Sequence, residues 1–262
     1  MTRLLAPGIA AVLLLAACSH AEPVPGIPLP PAGAAFDYQL GGAYDPPAGV
    51  AVVARDATAE PSGLYDICYV NGFQTQPGEG EHWLSEHPDL VLRDGSGEPV
   101  ADPAWPDEYL LDTSTEERRM RIAALLGTVV ASCATSGFDA VEIDNLDTYS
   151  RSDGALSLED NIDLAARYAR VAHDLGLAIA QKNGAGFSER LRDEVGFDFA
   201  VTEDCAQYDE CADYTGAYGD LVFDIEYDPE FLEAACAAVG SAVLRDLDLV
   251  PAGSPAHVFE PC

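Results

Sequence analysis

The sequence predicts a single α/β domain folded as a (β/α)8 TIM-like barrel, and three observations carry that expectation. Eight short apolar runs recur along the 262 residues, helical patterns separate them, and no GxGxxG or GxxxxGKS/T glycine motif follows any of them. Strands that alternate with helices build a parallel sheet, and eight of them close into a barrel. The missing glycine motifs remove the usual cofactor reason for the alternative, an open doubly wound sheet.

The runs are FDYQL (36–40), VAVVARD (50–56), YDICYVN (65–71), FDAVEIDN (138–145), LAIAQKN (177–183), FDFAVTED (197–204), LVFDIEY (221–227) and AVLRDLD (242–248). Two helices carry clear start and stop signals. Ser114-x-x-Glu117 reads as a capping box, followed by Ile122, Leu126, Val129 and Cys133 on one face and Gly137 just past the end. Ser157-x-x-Asp160 opens a second helix, with Leu158, Ile162, Ala165, Ala169 and Ala172 in register and Gly176 as its stop. The stretch 72–113 is long and irregular for one connection between a strand and a helix.

Ahead of the barrel the pattern changes. Arg3 precedes an apolar run to Leu15, and Leu15-Ala16-Ala17-Cys18 has the form of a bacterial lipoprotein cleavage site. Residues 1–17 are therefore expected to be a signal peptide, with lipid on Cys18 anchoring the chain to the outer face of a bacterial membrane. Residues 18–35 hold five prolines and no apolar periodicity, so they read as a tether, with the barrel over 36–262. The other six cysteines suit disulfides in an exported protein. Cys205 and Cys211 are the safest pair, because the loop between them is short; Cys68–Cys133 and Cys236–Cys262 are less constrained. No CxxC or HxxH spacing points to zinc, and no metal site is expected. Lys plus Arg number 13 against 45 Asp plus Glu, a formal net charge of −32. That balance excludes nucleic acid as a partner and favours cationic ones.

Strand alternation places the acids. In FDAVEIDN, Val141 and Ile143 share the side suited to a helix layer, whereas Ala140, Glu142 and Asp144 face the barrel interior. Asp144 then sits at the C-terminal mouth, where barrels keep their chemistry, and Glu142 one layer deeper. By the same logic Lys182 and Glu203 reach the mouth from the next two strands, and Glu226 is expected there from the seventh. Carboxylates on different strands across a mouth are what glycoside hydrolysis requires: one must hold a proton for the leaving oxygen, and the other must be ionised. An amine such as Lys182 holds a neighbouring acid anionic.

From Phe36 to Cys262 the chain also resembles family 114 of the glycoside hydrolases, the endo-α-1,4-polygalactosaminidases. The stretches that carry the resemblance are FDYQLGGAY, YDICYVN, FDAVEIDNLDTY, GLAIAQKN, FAVTEDCAQYDEC and VFDIEY, in that order. It implies a TIM-like barrel without a cofactor that cleaves α-1,4-linked galactosamine polymers internally. The family's catalytic acids map onto Asp144 and Glu203. By strand position the chain is similar to α-galactosidase-like barrels, which implies Asp144 as nucleophile, Glu203 as general acid/base and retention of configuration. Asp147 and Glu226 are candidates for binding amines, Lys182 and Asn145 for hydroxyls, and Tyr149, Trp83 or Trp105 for stacking on sugar faces. The partner expected is a cationic or partly acetylated galactosamine polysaccharide. The segment GFQTQPGEGEHWLSEHPDL departs from the family's Gly-Ser-x-Glu and Trp-Arg pattern, which bears on the choice of sugar. The rival readings are a barrel glycosidase acting on a different aminosugar exopolysaccharide and a carbohydrate-binding lipoprotein without turnover.

Overall fold

The computed structural model describes residues 26–262. The expected signal peptide and Cys18 lie outside the described residues. All eight expected strands form: β1 (Phe36–Gln39), β2 (Val52–Asp56), β3 (Tyr65–Asn71), β4 (Ala140–Asp144), β5 (Ala178–Lys182), β6 (Phe199–Glu203), β7 (Val222–Glu226) and β8 (Ala242–Arg245). Each pairs in parallel with the next in chain order. A ninth strand, β9 (Phe259–Pro261), which the apolar runs did not announce, pairs antiparallel with β8.

The period of two sorts the side chains as expected. Phe36, Ala140, Ala180, Phe199, Val201 and Phe223 pack inside the barrel. Val141, Ile143, Ile179 and Val222 face outward against Ile122, Leu126 and Ala169. At the seam between β1 and β8 the fully buried Arg245 stands in for apolar packing. It donates to Asp37 Oδ1 at 3.0 Å, Val258 O at 2.9 Å, Val250 O at 3.2 Å and the carbonyl of Tyr38. Removing one partner from such a buried pair costs about 3–5 kcal/mol, so the seam depends on it.

The helix α2 (Glu116–Ser136) begins one residue later than the sequence implies. Thr115, not Ser114, is its cap and accepts from Arg118 N, because the Ser114 hydroxyl and amide are taken by Asp112. Gly137, at φ 98°, ends it as expected. The capping box at Ser157 and Asp160 does form and opens α3 (Leu158–Asp174), whose buried face includes Ile162, Ala165, Ala169 and Ala172.

The helical layer is incomplete. Among the described residues no helix follows β1 or β2; proline- and glycine-bearing loops (40–51 and 57–64) make those connections. The excursion 72–113 holds only α1 (Gly80–Glu86) and short antiparallel bridges before α2. After β5 come a 3-10 turn (Ala185–Phe187), α4 (Ser188–Arg190) and a π-helical turn (Leu191–Val195); α5 (Cys211–Tyr218) follows β6 and α6 (Leu232–Val239) follows β7.

The described half of the expected tether is part of the fold. Ile27, Leu29 and Ala34 pack against the interior cluster, and Tyr65 donates its hydroxyl to Pro28 O at 2.9 Å. Their apolar side chains, spaced between the prolines, cover the barrel end opposite the mouth. Three disulfides form: Cys205–Cys211 as expected, Cys68–Cys133 between β3 and α2, and Cys236–Cys262 between α6 and the chain end. No helix among the described residues is long and apolar enough to cross a membrane.

Candidate active site

Strands β4, β5 and β6 end alike. Each delivers one charged side chain to the mouth, Asp144, Lys182 and Glu203, and each is followed by an Asn or Asp in the left-handed region: Asn145 (φ 67°), Asn183 (φ 52°) and Asp204 (φ 55°). Asn and Asp tolerate that conformation better than other residues with a Cβ, so the chain turns sharply out of the barrel once the functional side chain is placed.

Lys182, 3% exposed, is the hub. Its Nζ lies 3.4 Å from Asp144 Oδ2, 3.1 Å from Glu203 Oε2 and 3.6 Å from Glu142 Oε1, and 3.2 Å from the Tyr38 hydroxyl. The two mouth carboxylates are thus held no further apart, oxygen to oxygen, than the sum of the first two contacts. Each has further donors. Asp144 accepts from the Tyr69 hydroxyl at 2.7 Å and from Asn145 N at 2.7 Å. Glu203 accepts from the Tyr227 hydroxyl at 2.6 Å and from Asn183 Nδ2 at 3.0 Å, while its amide donates to Asn183 Oδ1 at 2.8 Å. Both keep an open edge: the side chains are 16% and 28% exposed.

The electrostatics follow from this packing. Burial would lower the Lys182 ammonium, but Asp144, Glu203 and Glu142 together hold it well above its ordinary value. Burial would raise Glu203, and Lys182, Tyr227 and Asn183 outweigh it, so the carboxyl stays below its usual range. Glu142 lies deeper, accepts from Tyr38 at 2.7 Å, and is pushed up to about 7, chiefly by burial against the pull of Lys182. One ammonium among three carboxyls therefore leaves the deepest as the best proton holder and Glu203 as an anion.

The other sequence-derived candidates divide. Asn145 is at the mouth but spends its amide on structure, donating to Asn71 Oδ1 and accepting from Arg151, both at 3.0 Å. Asp147 sits on the following 3-10 turn, paired with Arg151 at 2.7 Å. Tyr149 is half-buried beside Phe187, with ring centroids 6.4 Å apart. Trp83 belongs to the core, whereas Trp105 is 52% exposed and available for stacking. The expectation that Glu226 reaches the mouth is corrected. Phe223 and Ile225 point inward, so Glu226 lies with Asp224 on the outer face, fully buried, where it accepts from Ala206 N at 2.8 Å. The residue that β7 presents to the mouth is the next one in phase, Tyr227. Tyr38, Tyr69, Tyr227 and Asn183 were all missed as site residues, although the phase of Phe36, Ile67 and Ile225 points to the three tyrosines. Cys205, Asp224 and Glu226 form the one grouping of metal-ligand types among the described residues, but Cys205 is spent in its disulfide.

A parallel barrel that carries two partly open carboxylates at the ends of β4 and β6, bridged by one buried ammonium, has the frame and the groups that a barrel hydrolase uses. The chain belongs to glycoside-hydrolase family GH114, whose model matches residues 17–262, and it is a glycoside hydrolase. Its fold is similar to that of Aspergillus fumigatus Ega3, solved in complex with galactosamine, at 21% identity over 92% of this chain and 100% of that one, with a TM-score of 0.73. It is also similar to the glycoside hydrolase domain of PelA from Pseudomonas aeruginosa, solved as a variant, at 16% identity over 86% and 96% of the two chains, with a TM-score of 0.55. No curated protein matches the chain.

Proposed function

We propose that this glycoside hydrolase cleaves galactosamine-type polysaccharide internally, with Asp144 and Glu203 as its catalytic pair. The observation that carries the reading is the pair's placement: two carboxylates on alternate strand ends, both in contact with Lys182 Nζ, at 3.4 and 3.1 Å. A net charge of −32 draws a cationic polymer to the mouth. The mechanism proposed is the retaining one, in which the carboxyls stand about 5–5.5 Å apart; its support is the resemblance to barrels that carry the nucleophile on the fourth strand and the acid/base on the sixth. In that mechanism Asp144 attacks the anomeric carbon as Glu203 protonates the departing oxygen; Glu203 then activates water to release the sugar from Asp144.

Glu203 is the anion in the free site, the form the second step needs. For the first step it must take up a proton as substrate binds. The value of kcat/KM therefore rises as pH falls toward the depressed Glu203 carboxyl, and the descending limb belongs to that residue. The same depression favours a second reading in which the two roles are exchanged. Trapping with an activated fluoro-aminosugar glycoside, followed by peptide mass spectrometry, decides between them by whether Asp144 or Glu203 carries the label.

The test of the activity is release of reducing ends from α-1,4-polygalactosamine by the wild type, Asp144→Asn and Glu203→Gln. Each substitution is expected to cost about 10²–10⁴-fold in kcat with the circular dichroism spectrum unchanged. Release from another aminosugar polymer instead would replace the substrate; polymer binding without any release would favour the non-catalytic reading. The proposal extends to location: a lipid-anchored protein on the outer face of a bacterial membrane, supported by the Leu15–Cys18 motif and by three disulfides that suit an oxidising compartment. Incorporation of a labelled fatty acid that persists in Cys18→Ala would refute the anchor.

A further inference from the structure

Behind the mouth, on the outer face of β7, lies a second group of acids that the reaction does not touch. Asp224 Oδ1 accepts from the Thr202 hydroxyl at 2.6 Å and from Cys205 N at 3.3 Å, and Glu226 Oε1 accepts from Ala206 N at 2.8 Å. The two remaining oxygens, Asp224 Oδ2 and Glu226 Oε2, are buried and accept no hydrogen bond. Both residues are wholly inaccessible to solvent, and carboxylate oxygens of the two lie within 4.8 Å of each other. Neither takes part in any ion pair among the described residues. The titratable groups that face them are Asp204, from the turn above, and Tyr214, from α5; neither supplies a positive charge.

Two buried carboxylates side by side without a cation cannot both be ionised, and a single proton held by the pair removes that conflict. The amides they hold belong to Cys205 and Ala206, directly after Glu203 and the left-handed Asp204. The turn that carries Glu203 is thus suspended from this pair. Asp204 reinforces it, donating its amide to Ile225 O at 2.8 Å and accepting Tyr227 N at 3.1 Å.

We propose that Asp224 and Glu226 share one proton and that this protonated pair is the positioning element for Glu203. The role rests on the reading of Glu203 as a catalytic acid. Burial and the neighbouring Asp224 push Glu226 up to about 8, and burial pushes Asp224 up to about 6, which makes Glu226 the proton's main holder. The folded chain keeps a proton that the unfolded chain gives up above about pH 4.5, so the pair's contribution to stability is full below that pH and is lost as pH rises to about 8.

The experiment compares wild type, Glu226→Gln and Glu226→Ala in two measurements across about pH 5–9: kcat and KM on the active polymer, and the thermal midpoint. A glutamine reproduces the neutral acid, accepting from Ala206 and donating to Asp224. Glu226→Gln is expected to keep kcat within about threefold of wild type at pH 6, and the ratio of its kcat to that of wild type should climb above about pH 8. Glu226→Ala should lose about tenfold or more in kcat with KM little changed, because positioning rather than binding fails. The midpoint of wild type should fall relative to that of Glu226→Gln between about pH 5 and 8. A glutamine variant as damaged as the alanine variant, or a kcat ratio flat across the range, would overturn the proposal. So would a wild-type midpoint lowered by EDTA, which would put a metal ion where the proton is inferred. If no polymer is cleaved at all, the catalytic reading fails by itself, and the midpoint curves still decide whether the proton is shared.

Discussion

The two acid clusters of this barrel lie on opposite faces of one sheet and have their charge relieved in opposite ways. At the mouth, Glu142, Asp144 and Glu203 surround the ammonium of Lys182; outside, Asp224 and Glu226 have no cation and, on our inference, hold a proton. The cation keeps Glu203 an anion and aims Asp144 and Glu203, which stay open at one edge to a substrate. A shared proton halves the charge of its pair to a single buried negative charge, and those acids serve by gripping backbone amides. The period of two along a strand is enough to send neighbouring acids to such different duties.

The comparison can be broken most severely at Lys182. Lys182→Met leaves three carboxyls facing one another; a loss of about 3–5 kcal/mol in urea unfolding is expected, as when one partner of a buried ion pair is removed. Glu203 should rise with it, moving the descending limb of kcat/KM to higher pH. An unchanged limb would mean that Lys182 does not set the charge of Glu203. The next largest effect concerns Glu142. Its carboxyl, raised from 4.5 to about 7, keeps a proton that the unfolded chain releases, so its contribution to stability is full below about pH 4.5 and lost as pH rises to about 7. Glu142→Gln should remove that part of the pH dependence, read as the difference between two series of melting curves. Glu203 acts in the opposite sense: its depressed carboxyl contributes stability that is lost as pH falls through its folded value. The mildest change is Tyr227→Phe, which deletes one phenol from Glu203. It should cost about 0.5–1.5 kcal/mol and shift the same descending limb slightly upward, a pH profile that a loss of packing alone would not produce.

Asp144, Lys182 and Glu203 were legible because each ends a strand in phase with small or apolar residues that can only face inward. The eight strands and the cap at Ser157 were legible for similarly local reasons. Glu226 misled because a charged residue near a strand end was given more weight than the phase set by Phe223 and Ile225. Tyr38 and Tyr69 went unnoticed because a tyrosine in phase with apolar neighbours reads as core, and only the hydroxyl's partner reveals its second role. The bare connections after β1 and β2, and the placement of Trp83 in the core, depend on contacts between distant segments that no local pattern records. The absence of apolar periodicity in the tether hid that Ile27 and Leu29, set between prolines, have apolar surface to cover.

The cystine between Cys68 and Cys133 has a consequence beyond stability. Its two ends flank the whole excursion 72–113, which leaves the sheet after β3 and returns only through α2. A protease that cuts anywhere inside that excursion leaves one covalent molecule, whose wound is visible only after reduction. The same clasp lets the excursion change in length or sequence while the β3 and α2 segments on either side stay fastened.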